Sequence, residues 1–76
     1  MKLPLLSAEE LILILKKLGF EEIRQRGSHR YFKHPDGRAT VVPIHPRRDI
    51  GRGLLRKILR EIEINRKDFL KYLYPG

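Results

Sequence analysis

Apolar residues recur at helical spacing near the start of the chain. These positions are Ala8, Leu11, Ile12, Leu15 and Leu18. Such spacing predicts an amphipathic helix. Ser7 and Glu10 form a capping-box pattern that marks where the helix begins, and Gly19 suits the position after its last turn. Leu13 and Ile14 fall outside the stripe, so we expect them either to pack under a loop or to offer a partner surface.

Three short strands are predicted to follow this helix. They are Phe20–Arg26, His29–Lys33 and Arg38–Val42. Gly27-Ser28 forms the first turn, and His34–Gly37 forms the second, because Pro presets one dihedral angle and Gly permits a positive φ. Pro43 ends the third strand. Short turns between successive strands predict an antiparallel meander.

The last third of the chain predicts two more helices. One begins near Gly53 and carries on one face Leu54, Leu55, Ile58, Leu59 and Ile62. Asn65 caps a short final helix. Two helices on one face of a three-stranded sheet make an α+β sandwich, in the order α-β-β-β-α plus the short helix. The length of 76 residues predicts a single domain spanning residues 1–76.

Positive charge is concentrated in the middle of the chain. The whole sequence has a formal net charge of +8, yet residues 24–60 alone hold eleven Lys or Arg and two Asp, a net +9. Such a concentration favours a polyanionic partner, nucleic acid first. The alternative is a generally basic surface with no particular ligand. Arginine outnumbers lysine before residue 50, which favours phosphate recognition, because its planar fork pairs with two oxygens.

His29 is the residue in this segment best suited to proton transfer. It follows the Gly27-Ser28 turn, and histidine titrates near neutral pH. Cleavage of RNA through its own 2′-hydroxyl needs a base for that proton and an acid for the leaving 5′-oxygen. Gly27 would let backbone approach the substrate, and Ser28 would orient the ring or contact phosphate. The competing interpretation is that His29 is an ordinary residue at the start of a strand.

Basic residues around His29 are the candidate RNA contacts. They are Arg24, Arg26, Arg30, Lys33, Arg47 and Arg48. Tyr31 and Phe32 are neighbours on one strand, so they face opposite sides. Phe32 is predicted to enter the core, which leaves Tyr31 on the open face, where it could stack on a base.

The other two histidines support several interpretations. His34 precedes Pro35 in the second turn, so we expect it to cap the turn or contact phosphate. His45 enters the basic loop after the third strand. It is either a second acid-base group, an RNA contact, or a loop-ordering residue. A site for metal on all three histidines fits no common ligand spacing, and no metal or other cofactor is predicted.

The composition also indicates the cellular compartment in which the protein works. The chain has no cysteine, which suits a reducing compartment. Its longest apolar run, residues 11–15, is far too short for a membrane span. No signal peptide is recognised, so we expect a cytoplasmic protein with no membrane association.

Four ordered pieces of the sequence resemble HicA-type (YcfA-like) toxins. They are Gly27-Ser28-His29, His34-Pro35, Val42-Pro43-Ile44-His45 and Gly53–Leu59. The resemblance covers roughly residues 7–64, and one departure is Leu54, where the family commonly has Thr. It implies a fold like that of double-stranded-RNA-binding domains and mRNA interferase activity. It also implies that His29 is the catalytic residue and that a HicB-type antitoxin covers the active site.

Two other functions remain open from the residues alone. A non-catalytic RNA-binding module would use the same sheet and basic loop, with His29 only contacting backbone. An interaction protein would use Leu13, Ile14 and the basic face to hold an acidic partner.

Overall fold

The protein folds as an α+β sandwich with helices on one face of a three-stranded sheet. A computed structural model describes residues 3–76; Met1 and Lys2, the first two residues of the expected domain, lie outside the described residues. The elements are α1 (Ala8–Lys17), β1 (Glu21–Arg26), β2 (His29–Lys33), β3 (Ala39–Pro43), α2 (Arg52–Ile62) and α3 (Arg66–Leu73). Both strand pairs are antiparallel, in the order β1-β2-β3. The predicted fold class is confirmed.

Side-chain caps fix where two helices begin. At α1, the Ser7 hydroxyl accepts from the Glu10 backbone N–H at 3.1 Å, and Glu10 accepts from the Ser7 N–H at 2.9 Å. At α3, Asn65 accepts from the Asp68 N–H at 2.8 Å. Each bond satisfies a donor that the first helical turn would otherwise leave unpaired. Both predicted caps are confirmed.

The core lies between the helices and one face of the sheet. The largest fully buried side chains are Phe20, Phe32, Phe69, Leu11, Leu15, Leu55, Ile58, Ile62 and Val42. Phe32 is in the core as predicted, and Phe69 brings α3 into the same cluster. Ile14 is buried in that cluster as well, whereas Leu13 is 61% exposed. The two residues outside the helical stripe therefore have opposite environments.

Four element boundaries differ from the predicted ones by one residue. β1 begins at Glu21, because the Phe20 N–H donates to the Leu15 carbonyl and closes the end of α1. β3 runs to Pro43 and begins after Arg38, whose carbonyl accepts from the His34 N–H in the turn. Proline is tolerated there because β3 is an edge strand. α2 begins at Arg52 rather than near Gly53.

Gly19 is expected to be the glycine most sensitive to substitution. Its φ is +98°, and an added Cβ would lie 2.9 Å from His34 Nε2. Gly19→Ala should lower the free energy of unfolding by about 1–2 kcal/mol, the usual penalty for a side chain in left-handed backbone. Gly53→Ala is the control, since nothing lies within 4 Å of its Cβ position in α2. It should raise stability by about 0.5 kcal/mol. Equal urea midpoints for wild type and Gly19→Ala would contradict this account.

Candidate functional site

His29 lies on the face of the sheet opposite the helices, which we call the open face. It stands directly across from Arg26 on β1 and Pro43 on β3. Directly opposed residues share a face, with Cβ atoms about 4.5–5.5 Å apart. The next row on the same face is Arg24, Tyr31 and Val41. The open face therefore places two arginines beside and diagonal to an exposed histidine.

A bulge in β1 puts those arginines on the open face. Glu22 pairs with Phe32 and Arg24 with Tyr31, so Ile23 is the extra residue. Without that insertion, regular alternation would carry Arg24 and Arg26 to the face that bears Glu22 and Phe32. Bulges commonly re-aim side chains near functional sites. The bulge is not predicted from the sequence, in which its one signal is the apolar Ile23 among five polar residues of β1.

The turn before His29 is tied to the loop that carries His45. Gly27 has φ +58°, and nothing lies within 4 Å of its Cβ position. The Ser28 carbonyl accepts from the Ile44 N–H at 2.6 Å, which extends the contact between β2 and the chain beyond Pro43. His45 is the next residue. The structure thus brings Gly27, Ser28, His29 and His45 to one end of the sheet.

Two more predicted basic contacts lie on the loop between β3 and α2. The loop is anchored at Ile44 and again at Ile50, whose N–H donates to the Leu6 carbonyl at 2.7 Å. Between these anchors Arg47 and Arg48 are both exposed, and Arg47 has φ +63°. They follow His45 at the same end of the sheet. This arrangement extends the basic surface beyond the strands.

Arg24 and Lys33 occupy different parts of the open face. The Arg24 guanidinium lies over the Tyr31 ring, with Cζ 4.5 Å from the ring centroid. Tyr31 is half-buried and on the open face, as predicted. Lys33 shares that face but lies four residues along β2 from His29, about 13 Å at the usual rise. Lys33 can therefore contact only a phosphate that lies farther along the RNA than the phosphate held at His29.

Arg30, one of the predicted RNA contacts, lies on the other face of the sheet. Strand alternation places it with Phe32, and its guanidinium forms a two-bond ion pair with the Glu22 carboxylate. This pairing lowers the pKa of Glu22 below its ordinary value, chiefly through the side-chain hydrogen bond. We therefore leave Arg30 out of the phosphate-binding group, because it faces away from His29 and is already paired.

His34 closes the second turn, one of the roles considered for it. Its Nδ1 lies 3.1 Å from the Asp36 backbone nitrogen, and its ring packs edge-on against Phe20 with centroids 5.1 Å apart. Asp36 in turn accepts from the Arg38 N–H, and this bond is the main cause of its lowered pKa. Within residues 3–76 no group of three His, Asp or Glu side chains is arranged to hold a metal ion.

Comparison with known protein families gives the class of this α+β protein, which is a toxin of a bacterial toxin-antitoxin system. The family model described as the HicA toxin of bacterial toxin-antitoxin matches residues 8–64, three quarters of the chain. The chain belongs to the HicA toxin family, and the resemblance drawn from its sequence is confirmed. Membership implies an antitoxin partner. No curated protein matches the chain. Among the helices described, none is long and apolar enough to cross a membrane.

Proposed function

We propose that this toxin is an endoribonuclease that cuts mRNA without a metal ion, with His29 as its proton-transfer residue. One observation carries the proposal: the strand register sets exposed His29 directly across from Arg26, with Arg24 in the adjacent row. This arrangement supports a phosphate contact beside a group that exchanges protons near neutral pH. Family membership supports the toxic role, and the geometry supports the chemistry.

The reaction that fits this face is attack by the RNA's own 2′-hydroxyl. The hydroxyl loses its proton and its oxygen forms a bond to phosphorus, while the bond to the 5′-oxygen breaks and that oxygen gains a proton. The products are a 2′,3′-cyclic phosphate and a 5′-hydroxyl. His29 transfers the proton at one of these oxygens. His45, at the same end of the sheet, is the candidate for the other.

The residues around His29 have different roles in this mechanism. Arg26 lies nearest His29 in the register and would stabilise the negative charge that develops on the phosphorane-like transition state. The neighbouring phosphates would be held by Arg24, Lys33, Arg47 and Arg48. Gly27 leaves room for backbone to approach, and Ser28 would contact phosphate or orient the ring. A HicB-type antitoxin would block activity by covering this face.

A non-catalytic RNA-binding module is the alternative, and one observation favours it. Within residues 3–76, no protein hydrogen bond orients the His29 ring, whereas an acid-base histidine is commonly held by a second group. RNA itself can supply that contact, since catalytic hydrogen bonds often tighten only in the complex. Cleavage of a labelled mRNA in EDTA separates the two functions. Intact RNA with clear binding would favour the module.

Arg26→Gln is expected to reduce the salt dependence of RNA binding. Each phosphate contact contributes about −0.7 to the slope of log affinity against log salt for a single strand, so the variant should lose about that much. Arg56→Gln removes the same charge from the exposed side of α2, away from the open face, and should leave the slope unchanged. Fluorescence anisotropy at several salt concentrations measures both. Identical slopes for Arg26→Gln and wild type would contradict the phosphate contact.

A further inference from the structure

A groove of about 200 Å³ lies where β3 meets α2. Ile23, Tyr31 and Val41 line it from the sheet, and Leu54, Lys57 and Glu61 line it from α2. Tyr31 and Val41 form the row next to His29. Because two residues of a strand span about 7 Å, the groove begins roughly one nucleotide step from the proposed scissile phosphate.

We propose that this groove is a nucleobase site that selects guanine in the RNA, next to the phosphate that is cut. The inference rests on the proposed function and names a specificity determinant at the edge of that face, where the edge strand β3 meets α2. The volume suits one base, since sites for whole drug-sized ligands occupy about 300–1,000 Å³. Most of the groove's lining is apolar, which suits contact with the two apolar faces of a planar base.

Tyr31, which lines the groove, carries a stacking surface together with Arg24, which lies over its ring. The Arg24 guanidinium already lies over the Tyr31 ring, with Cζ 4.5 Å from the ring centroid. Bases that are splayed out of single-stranded RNA stack on aromatic rings and on guanidinium planes alike. A base entering beside Tyr31 can therefore extend an existing stack. Its phosphate would remain close to Arg24, on the basic face.

Glu61 and Lys57 supply the polar contacts that identify the base. The buried Thr40 hydroxyl donates to Glu61 Oε1 at 2.8 Å, which fixes the direction of the carboxylate. Lys57 lies one turn earlier on the same side of α2. A carboxylate accepts from the adjacent N1–H and N2–H groups of guanine, and an ammonium donates to its O6. Uracil has a single N–H between two carbonyls on that edge, so one carbonyl would meet the carboxylate.

Binding of uncleavable oligonucleotides tests the base site separately from catalysis. Short 2′-O-methyl oligouridines with one variable base cannot be cut through the 2′-hydroxyl, and anisotropy reports their affinity for the wild-type protein. We expect guanine to bind about tenfold more tightly than uracil, with inosine intermediate because it lacks the N2 amino group. Glu61→Gln should bring the guanine-to-uracil ratio close to one. Glu63→Gln removes the same charge outside the groove and should keep the preference.

Lys57→Leu is a second variant that tests the same groove. It is needed because Glu61→Gln alters the hydrogen bond between Thr40 and Glu61 and could thereby disturb folding. Lys57 is exposed, so the protein should fold and lose part of its guanine preference. Equal affinity for all bases, while RNA is still bound and cut, would overturn the base site alone. Absence of binding to every oligonucleotide would overturn the proposed function as well. A third outcome would also overturn the proposal. If the wild-type protein binds all bases equally and Glu61→Gln no longer binds the antitoxin, the groove binds a protein partner rather than a base.

Discussion

Replacing His29 by alanine should lower the rate of RNA cleavage by about 10²–10⁴-fold, the usual contribution of a positioned general acid or base. The fold should survive, because His29 is exposed and its strand contacts are made by backbone. The measurement is the single-turnover cleavage rate of a labelled RNA, made alongside thermal unfolding. RNA affinity should change little, because most of the binding surface remains.

His34→Gln is the matched control for this variant. His34 packs against Phe20 and closes the second turn, so its loss should lower the unfolding temperature. The folded fraction of that variant should still cut RNA at close to the wild-type rate. Cleavage that persists at the wild-type rate in His29→Ala would contradict the role proposed for His29.

Phe69→Ala is expected to cost the most stability. Phe69 is fully buried in the common core although α3 lies beyond the matched residues 8–64. Truncating a buried phenylalanine typically costs about 3–5 kcal/mol, against a total of about 4–11 kcal/mol expected for a chain of this length. The variant should therefore lose a large fraction of its free energy of unfolding, which circular dichroism in urea would measure as a much lower unfolding midpoint.

Tyr72→Ala is the control on the same helix. Tyr72 is 39% exposed, so its truncation should cost much less. Equal urea midpoints for the two variants would contradict the packing of α3 onto the core. Full RNA cleavage by a chain ending at Ile64 would show that α3 is dispensable for the site even if it contributes stability.

Local signals in the sequence were enough to predict the elements. Ser7 with Glu10, and Asn65 before α3, act over a few residues, so their chemistry can be inferred without the fold. Phe32 was assigned to the core because neighbouring residues on a strand must face opposite sides. These predictions are confirmed by the structure.

Which arginines share the face of His29 could not be predicted in the same way. The face on which each arginine lies depends on how β1 and β2 pair. The extra residue Ile23 moves every later side chain of β1 to the opposite face of the sheet. Arg24 and Arg26 reach the open face through the bulge, whereas Arg30 pairs with Glu22 on the other. The groove was missed for a related reason, because it joins residues from β1, β2, β3 and α2.

The most direct test of the central claim uses a DNA oligonucleotide that contains one ribonucleotide, incubated with the purified toxin in EDTA. We expect a single cut on the 3′ side of the ribonucleotide, with a 2′,3′-cyclic phosphate on one product and a 5′-hydroxyl on the other. For this substrate the ribonucleotide should carry guanine, so that the proposed base site is also occupied. Cleavage of the matching all-DNA strand, or cleavage that requires a divalent metal, would contradict it.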